Sequence, residues 1–129
     1  MNAVDTNLII RFLTQDDPHQ SPLAEQVMQA GVFVSHSVLM ETEWVLRSRY
    51  GLSREAVATS LRGIVEFEKV SVDEPELVDW AIDRYGKGAD LADMFHLIAA
   101  RHQESFVTFD QGLARRAAAD GPLKVELLK

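Results

Sequence analysis

The chain has 129 residues, enough for one domain with a sizeable core. Apolar residues make up 47% and charged residues 26%, which excludes a disordered or fibrous chain, and the absence of cysteine excludes disulfides, thiolate metal ligands and cysteine nucleophiles. A formal net charge of −7 excludes a broad basic surface for nucleic acid, so action on nucleic acid requires a local site and cations; an acidic protein awaiting a basic partner is the other reading.

The chain-order reading begins with a short strand over Asn2–Asp5, apolar at Ala3 and Val4 and ending in Asp5-Thr6-Asn7. A short helix over Leu8–Leu13 follows. Ser21 as cap, Pro22 as first residue and Gly31 as stop frame a helix over Pro22–Ala30. Val32–Val34 is a short buried strand. Ser37 caps a helix that runs to Tyr50 and stops at Gly51, with Val38, Leu39, Thr42, Val45 and Leu46 as its core-facing stripe. Ser53 caps the next helix, to about Ile64. Val70 and Val72 alternate in a strand within Glu66–Val72. Asp73-Glu74-Pro75 opens a helix through Arg84, closed by Gly86-Lys87-Gly88, with Trp80 in its core. Asp90 opens an apolar helix, Leu91–Arg101. Ser105–Phe109 is a strand, Gln111–Ala119 a helix and Leu123–Leu127 a last edge strand. No repeat or linker interrupts this order, so one domain over 1–129 is expected. Strands alternating with helices predict a mainly parallel sheet covered on both faces, with sites beyond the carboxyl ends of its strands. No basic, apolar leader opens the chain and no apolar run approaches the roughly 18 residues of a membrane span. Neither a signal peptide nor contact with a membrane is expected, and a cytoplasmic location is.

Acids stand where those strand ends fall. Asp5 ends the first strand, Glu41 lies early in the helix after the second, Asp90 and Asp93 open the apolar helix, and Asp110 follows the Phe106–Phe109 run. Taken singly, Asp5, Asp90 and Asp110 each read as helix caps, and Asp93 as an acid favoured by a helix N-terminus. Glu41 borders the expected core stripe with no cation four residues away, so it needs a partner. Taken together on a parallel sheet, the acids converge on one edge. Carboxylates crowded there repel one another, and a cation would relieve the repulsion. Donors that are all oxygen point to a hard ion, Mg²⁺ or Mn²⁺, whose chemistry is activation of water and stabilisation of phosphoryl charge.

Four segments carry a family resemblance: Asp5-Thr6-Asn7 after the first strand, Val38–Leu46 with Glu41, Ala89-Asp90-Leu91-Ala92-Asp93, and Val107-Thr108-Phe109-Asp110. In order and spacing, over nearly the whole chain, they resemble the signature segments of PIN-domain ribonucleases, and most nearly those of VapC toxins from type II toxin–antitoxin pairs. The resemblance implies a PIN-like α/β/α sandwich and an endoribonuclease dependent on Mg²⁺, with Mn²⁺ as a substitute. Its acids fall on Asp5, Glu41, Asp93 and Asp110, with Asp90 as an additional or alternate ligand. Thr6, Asn7 and Thr108 match polar positions that orient the acids or a water. Gln111 and Gly112 stand where some members carry a further acid, a departure that bears on a second metal site. The implied reaction is in-line hydrolysis of RNA, leaving a 5′ phosphate and a 3′ hydroxyl. Implied partners are RNA, a VapB-like antitoxin that docks an extended segment and sets a basic side chain among the acids, and a second copy of the chain.

Arg11, Arg47, Arg49, Lys87, Arg115 and Arg116 are candidate contacts to the RNA backbone, or simply solvated charges. His36, His96 and His102 read as structural. Trp44, with Met40 and Arg47, reads as ordinary packing or as an interface. The competing readings are an RNA-processing nuclease outside any toxin–antitoxin pair and a non-catalytic PIN-like binding module. An aspartate-nucleophile phosphatase would want an acid at Asn7, and a receiver domain would want a lysine after a late strand, before Lys124.

Overall fold

A computed structural model describes residues 1–117 and 120–129, and the chain forms two compact units, Met1–Pro75 and Glu76–Lys129. In the first unit the elements run β1 (Asn2–Ala3), α1 (Thr6–Thr14), α2 (Gln20–Gln29), β2 (Val32–Phe33), α3 (His36–Ser48), α4 (Arg54–Glu66) and β3 (Val70–Ser71). The strands form a parallel sheet in the order β1-β2-β3, with Asn2 opposite Val32 and Val32 opposite Val70. Each parallel step needs a crossover, and the helix pairs α1–α2 and α3–α4 supply them. The strands are brief because β1 gives way to helix at Thr6 and β2 at His36; single bonds from Val4 N–H to Phe33 and Val34 N–H to Ser71 extend the ladder. Ile9, Met28, Val32, Leu39, Leu61 and Ile64 are among its buried side chains.

The second unit holds α5 (Pro75–Gly86, whose first residue closes unit one), α6 (Leu91–Ala99), β4 (Ser105–Thr108), α7 (Gln111–Ala117) and β5 (Lys124–Leu127). β4 and β5 pair in parallel, Ser105 opposite Lys124, with α7 as the crossover. The expected end of the last helix, Ala118 and Ala119, lies outside the described residues. In α6 Leu91, Met94, Phe95, Leu97 and Ile98 are buried. In α5 the buried face is Val78, Ala81, Ile82 and Tyr85, so Trp80 is half-buried rather than central.

Every expected strand and helix is present, and the α/β class with parallel strands is as expected. The first three helices differ in cap or start, and elsewhere ends shift by one or two residues, α5 running to Gly86 rather than Arg84 and α6 stopping at Ala99 rather than Arg101. α1 begins two residues early because Asp5 caps it, Oδ1 accepting from Leu8 N–H at 3.0 Å. α2 begins at Gln20, where Asp17 Oδ1 accepts from the N–H groups of His19 and Gln20 at 2.9 and 2.7 Å. Ser21 is therefore not a cap; its buried hydroxyl donates to the Arg11 carbonyl at 2.8 Å, and Pro22 is tolerated in a first turn whose N–H groups lack helical partners anyway. α3 is capped by Ser35, whose Oγ accepts from Val38 N–H at 3.2 Å, not by Ser37. Its end falls at Ser48; Gly51, at φ +64, turns the chain so that Leu52 N–H returns to the Leu46 carbonyl at 3.1 Å.

The two serines make a test. Ser35→Ala is expected to lower unfolding free energy by about 1 kcal/mol, the usual worth of a cap, and Ser37→Ala to leave it within a few tenths. Urea unfolding of both variants checks it; equal losses would reject Ser35 as the cap.

Candidate active site

In the first unit the start of α1 meets the middle of α3. Asp5 is exposed at the N-terminus of α1, and its cap to Leu8 occupies one carboxylate oxygen. The next residue, Thr6, is buried, and its hydroxyl donates to Glu41 Oε1 across 35 positions of sequence. Glu41 thus has a partner, but a hydroxyl rather than a cation. It is also exposed, not set beside the core: the face of α3 that turns inward carries Leu39, Thr42, Glu43 and Leu46. The buried acid of α3 is Glu43, only 8% exposed, and Arg47 Nε donates to it at 2.7 Å. That pair was open to detection from its i, i+4 spacing. Asp5, Thr6, Asn7 and Glu41 line one side of a cleft of about 330 Å³ whose other walls include Trp44 and Arg49.

In the second unit Asp90 and Asp110 are both caps. Asp90 Oδ2 accepts from Asp93 N–H at 3.0 Å, and Asp110 Oδ1 from Leu113 N–H at 3.1 Å. Thr108 Oγ1 accepts from Asp110 N–H at 3.0 Å, tying the acid's backbone to the end of β4. Asp93 sits half-buried in the first turn of α6. Burial raises its pKa above the ordinary carboxylate value, and the charges of Asp90 and Asp110 raise it further, against a smaller opposing effect of His96. All three acids line a pocket of about 200 Å³ with Gly88 and Arg116. The backbone favours glycine at Gly88, and a side chain there would displace the Arg116 guanidinium. Its φ is +112, and a Cβ would lie 1.9 Å from Arg116 Nη1, which donates to the Lys87 carbonyl at 2.6 Å.

The basic candidates divide. Arg11 pairs with Asp16 at 3.2 Å and Gln20 at 2.8 Å, Lys87 pairs with Asp83 at 3.2 Å, and Arg47 is held by Glu43. Arg115 is exposed beside the second pocket. Among the histidines, His36 Nε2 lies 2.7 Å from the Asp73 carbonyl, a structural contact, and His96 and His102 are exposed.

Among the described residues no three His, Cys, Asp or Glu side chains form a ready-made cation cage. Mg²⁺ does not need one: it keeps several waters and takes one or two carboxylates beside substrate phosphate. Each unit supplies that number, Asp5 with Glu41 in one cleft and Asp93 with Asp110 in the other pocket. The donors are all oxygen, and the crowding that raises Asp93 is relieved by a cation, so these residues fit a hard divalent ion. No helix among the described residues is long and apolar enough to cross a membrane.

The PIN domain family matches residues 3–119, a span that contains Asp5, Glu41, Asp90, Asp93 and Asp110. No curated protein matches the chain.

Proposed function

Because the chain belongs to the PIN domain family, we propose that it is an endoribonuclease dependent on Mg²⁺ or Mn²⁺, and the VapC-type toxin of a type II toxin–antitoxin pair. PIN domains are generally metal-dependent nucleases that act on RNA. The observation that carries the reading here is the acid pocket of Asp90, Asp93 and Asp110, in which burial and neighbouring charge hold Asp93 above its ordinary pKa. A structural cap needs one carboxylate; three around one pocket are costly without a cation.

In this proposal the whole chain acts as one PIN domain. In the first unit Asp5 and Glu41 would hold a divalent ion, and in the second Asp93 and Asp110 would, with Asp90 as an alternate ligand. An ion bound there would supply activation of water and relief of charge on the scissile phosphate. The chain's own groups set the geometry. Thr6 holds Glu41 through its hydroxyl, and the caps made by Asp5, Asp90 and Asp110 fix one oxygen of each carboxylate. Asn7 orients a water, and Thr108 holds Asp110. One carboxylate takes the proton of the attacking water, and the products carry a 5′ phosphate and a 3′ hydroxyl. The same acids suit a VapB-like antitoxin that brings an arginine or lysine among them. Translation stops when the RNA is cut, which makes the cytoplasm the place of action. A homodimer completes the toxin.

The test is cleavage of total cellular RNA by purified protein with Mg²⁺, Mn²⁺ or EDTA, with fragment ends sequenced. Discrete cuts that require the ion are expected. Absence of cuts with metal binding intact would favour a module that only binds. Cuts with no basic antitoxin encoded alongside would favour an RNA-processing nuclease.

A further inference from the structure

We propose that the Trp44–Arg49–Tyr50 end of the first unit's cleft seats one unpaired nucleobase of the RNA, beside the carboxylates of Asp5 and Glu41. The proposal rests on the ribonuclease reading and names a residue that grips the substrate. Trp44 does not pack the core: it is 49% exposed on α3, while Leu39, Thr42 and Leu46 turn inward. Its ring lines the cleft that holds Asp5, Thr6 and Glu41. The Arg49 guanidinium lies 5.9 Å from the ring centroid, and Tyr50 forms a second aromatic wall of the same cleft. That wall is pinned, since the Tyr50 hydroxyl donates to Asp16 Oδ2 at 2.9 Å. Hydrogen bonds from Thr14 and Tyr50, with Arg11 alongside, keep Asp16 ionised by lowering its pKa. The result is two aromatic side chains in one cleft, Tyr50 pinned by Asp16 and Trp44 with the Arg49 guanidinium over one face, which leaves its other face for a base.

Charge selects the occupant. Asp5 and Glu41 repel a phosphate that comes without a cation, but not a neutral ring. A chain of net charge −7 gains little from phosphate contacts, so part of its grip on RNA has to be uncharged. Stacking supplies it: bases laid on aromatic or guanidinium planes are the common means of holding single-stranded RNA, and every base has a face to offer. A base inside a duplex has no free face, so the seat selects loops and unpaired ends.

The experiment uses the full chain with Trp80→Phe, which leaves Trp44 as the only tryptophan, in EDTA so that nothing is cut. The probe is a short single-stranded RNA of mixed sequence. Saturable quenching of Trp44 emission is expected, with none from the same RNA annealed to its complement. Trp44→Ala is expected to weaken binding by about 5- to 100-fold, the span of one base–aromatic stack. Trp44→Phe should restore most of it, and melting curves of both variants should match the parent because the side chain lies outside the core. RNA that binds without quenching, and equally well to Trp44→Ala, would overturn the seat while leaving the nuclease reading to the cleavage test. Emission that changes with protein concentration alone, in step with self-association, would assign Trp44 to contact between copies and overturn it too.

Discussion

Replacing Asp93 by Asn is expected to lower RNA cleavage by about a thousandfold and to leave the ion-free protein at least as stable as the parent at neutral pH. The loss of rate follows from removing a carboxylate that holds the ion, whose stabilisation of the transition state is worth several kcal/mol, and each 1.4 kcal/mol is about tenfold in rate. The stability follows from the sign of the Asp93 shift. Burial, Asp90 and Asp110 raise its pKa in the folded protein above the ordinary 3.8. The folded state therefore binds this proton more tightly than the unfolded one. Its contribution to stability is fully present below 3.8 and is lost as pH rises through the raised value. At neutral pH the ionised carboxylate is a liability that Asn does not carry. The helix N-terminus opposes this by about 0.3–1 kcal/mol in favour of the charge, so the net gain is small. Denaturant unfolding in EDTA at acid and neutral pH tests it: the variant's relative stability should rise with pH. A marked loss at neutral pH would show Asp93 to be a structural acid, and unchanged cleavage would remove it from the site.

Millimolar Mn²⁺ is expected to raise the melting temperature of the parent by about 8 °C. An ion that binds only the folded chain contributes about 2.7 kcal/mol at a hundredfold excess over its Kd, and a chain of this size gains about 3 °C per kcal/mol. Asparagine substitutions separate the two roles of the capping acids. Asn caps a helix as well as Asp does, so Asp110→Asn keeps an oxygen for Leu113 N–H and Asp5→Asn keeps one for Leu8 N–H. Both variants should melt near the parent in EDTA and lose most of the Mn²⁺ shift. Asp90→Asn should lose less of it, as an alternate ligand would. If Asp5→Asn and Asp110→Asn keep the full shift, these acids are caps and nothing more.

Arg116 and Gly88 show how little of the second pocket is visible in a pattern of acids. Gly86-Lys87-Gly88 reads as a helix stop, and Gly88 does follow α5 with a positive φ. That its missing Cβ also makes room for the guanidinium of Arg116, 28 residues on, is a matter of packing. The same holds for Thr6, whose place in a three-residue motif marks it as polar and important but does not show that it donates to Glu41.

The order and type of the elements, the caps at Ser53 and Asp90, and the placing of acids at helix and strand ends are all legible in the residues alone. These are local effects: apolar spacing, a cap oxygen within three residues, a glycine or proline at a boundary. Packing between distant elements selects between local choices that are equivalent along the chain. Ser35 and Ser37 can each cap a helix, and the exit from β2, which leaves Ser35 extended at φ −76 and ψ 160, selects the first. Glu41 and Glu43 lie on opposite sides of the boundary of α3's buried face, and the packing of α3 against α1 and α4 turns Glu43 inward and leaves Glu41 exposed beside Thr6. A helix's own residues carry its periodicity; which part of that period faces the core is set by neighbours far along the chain.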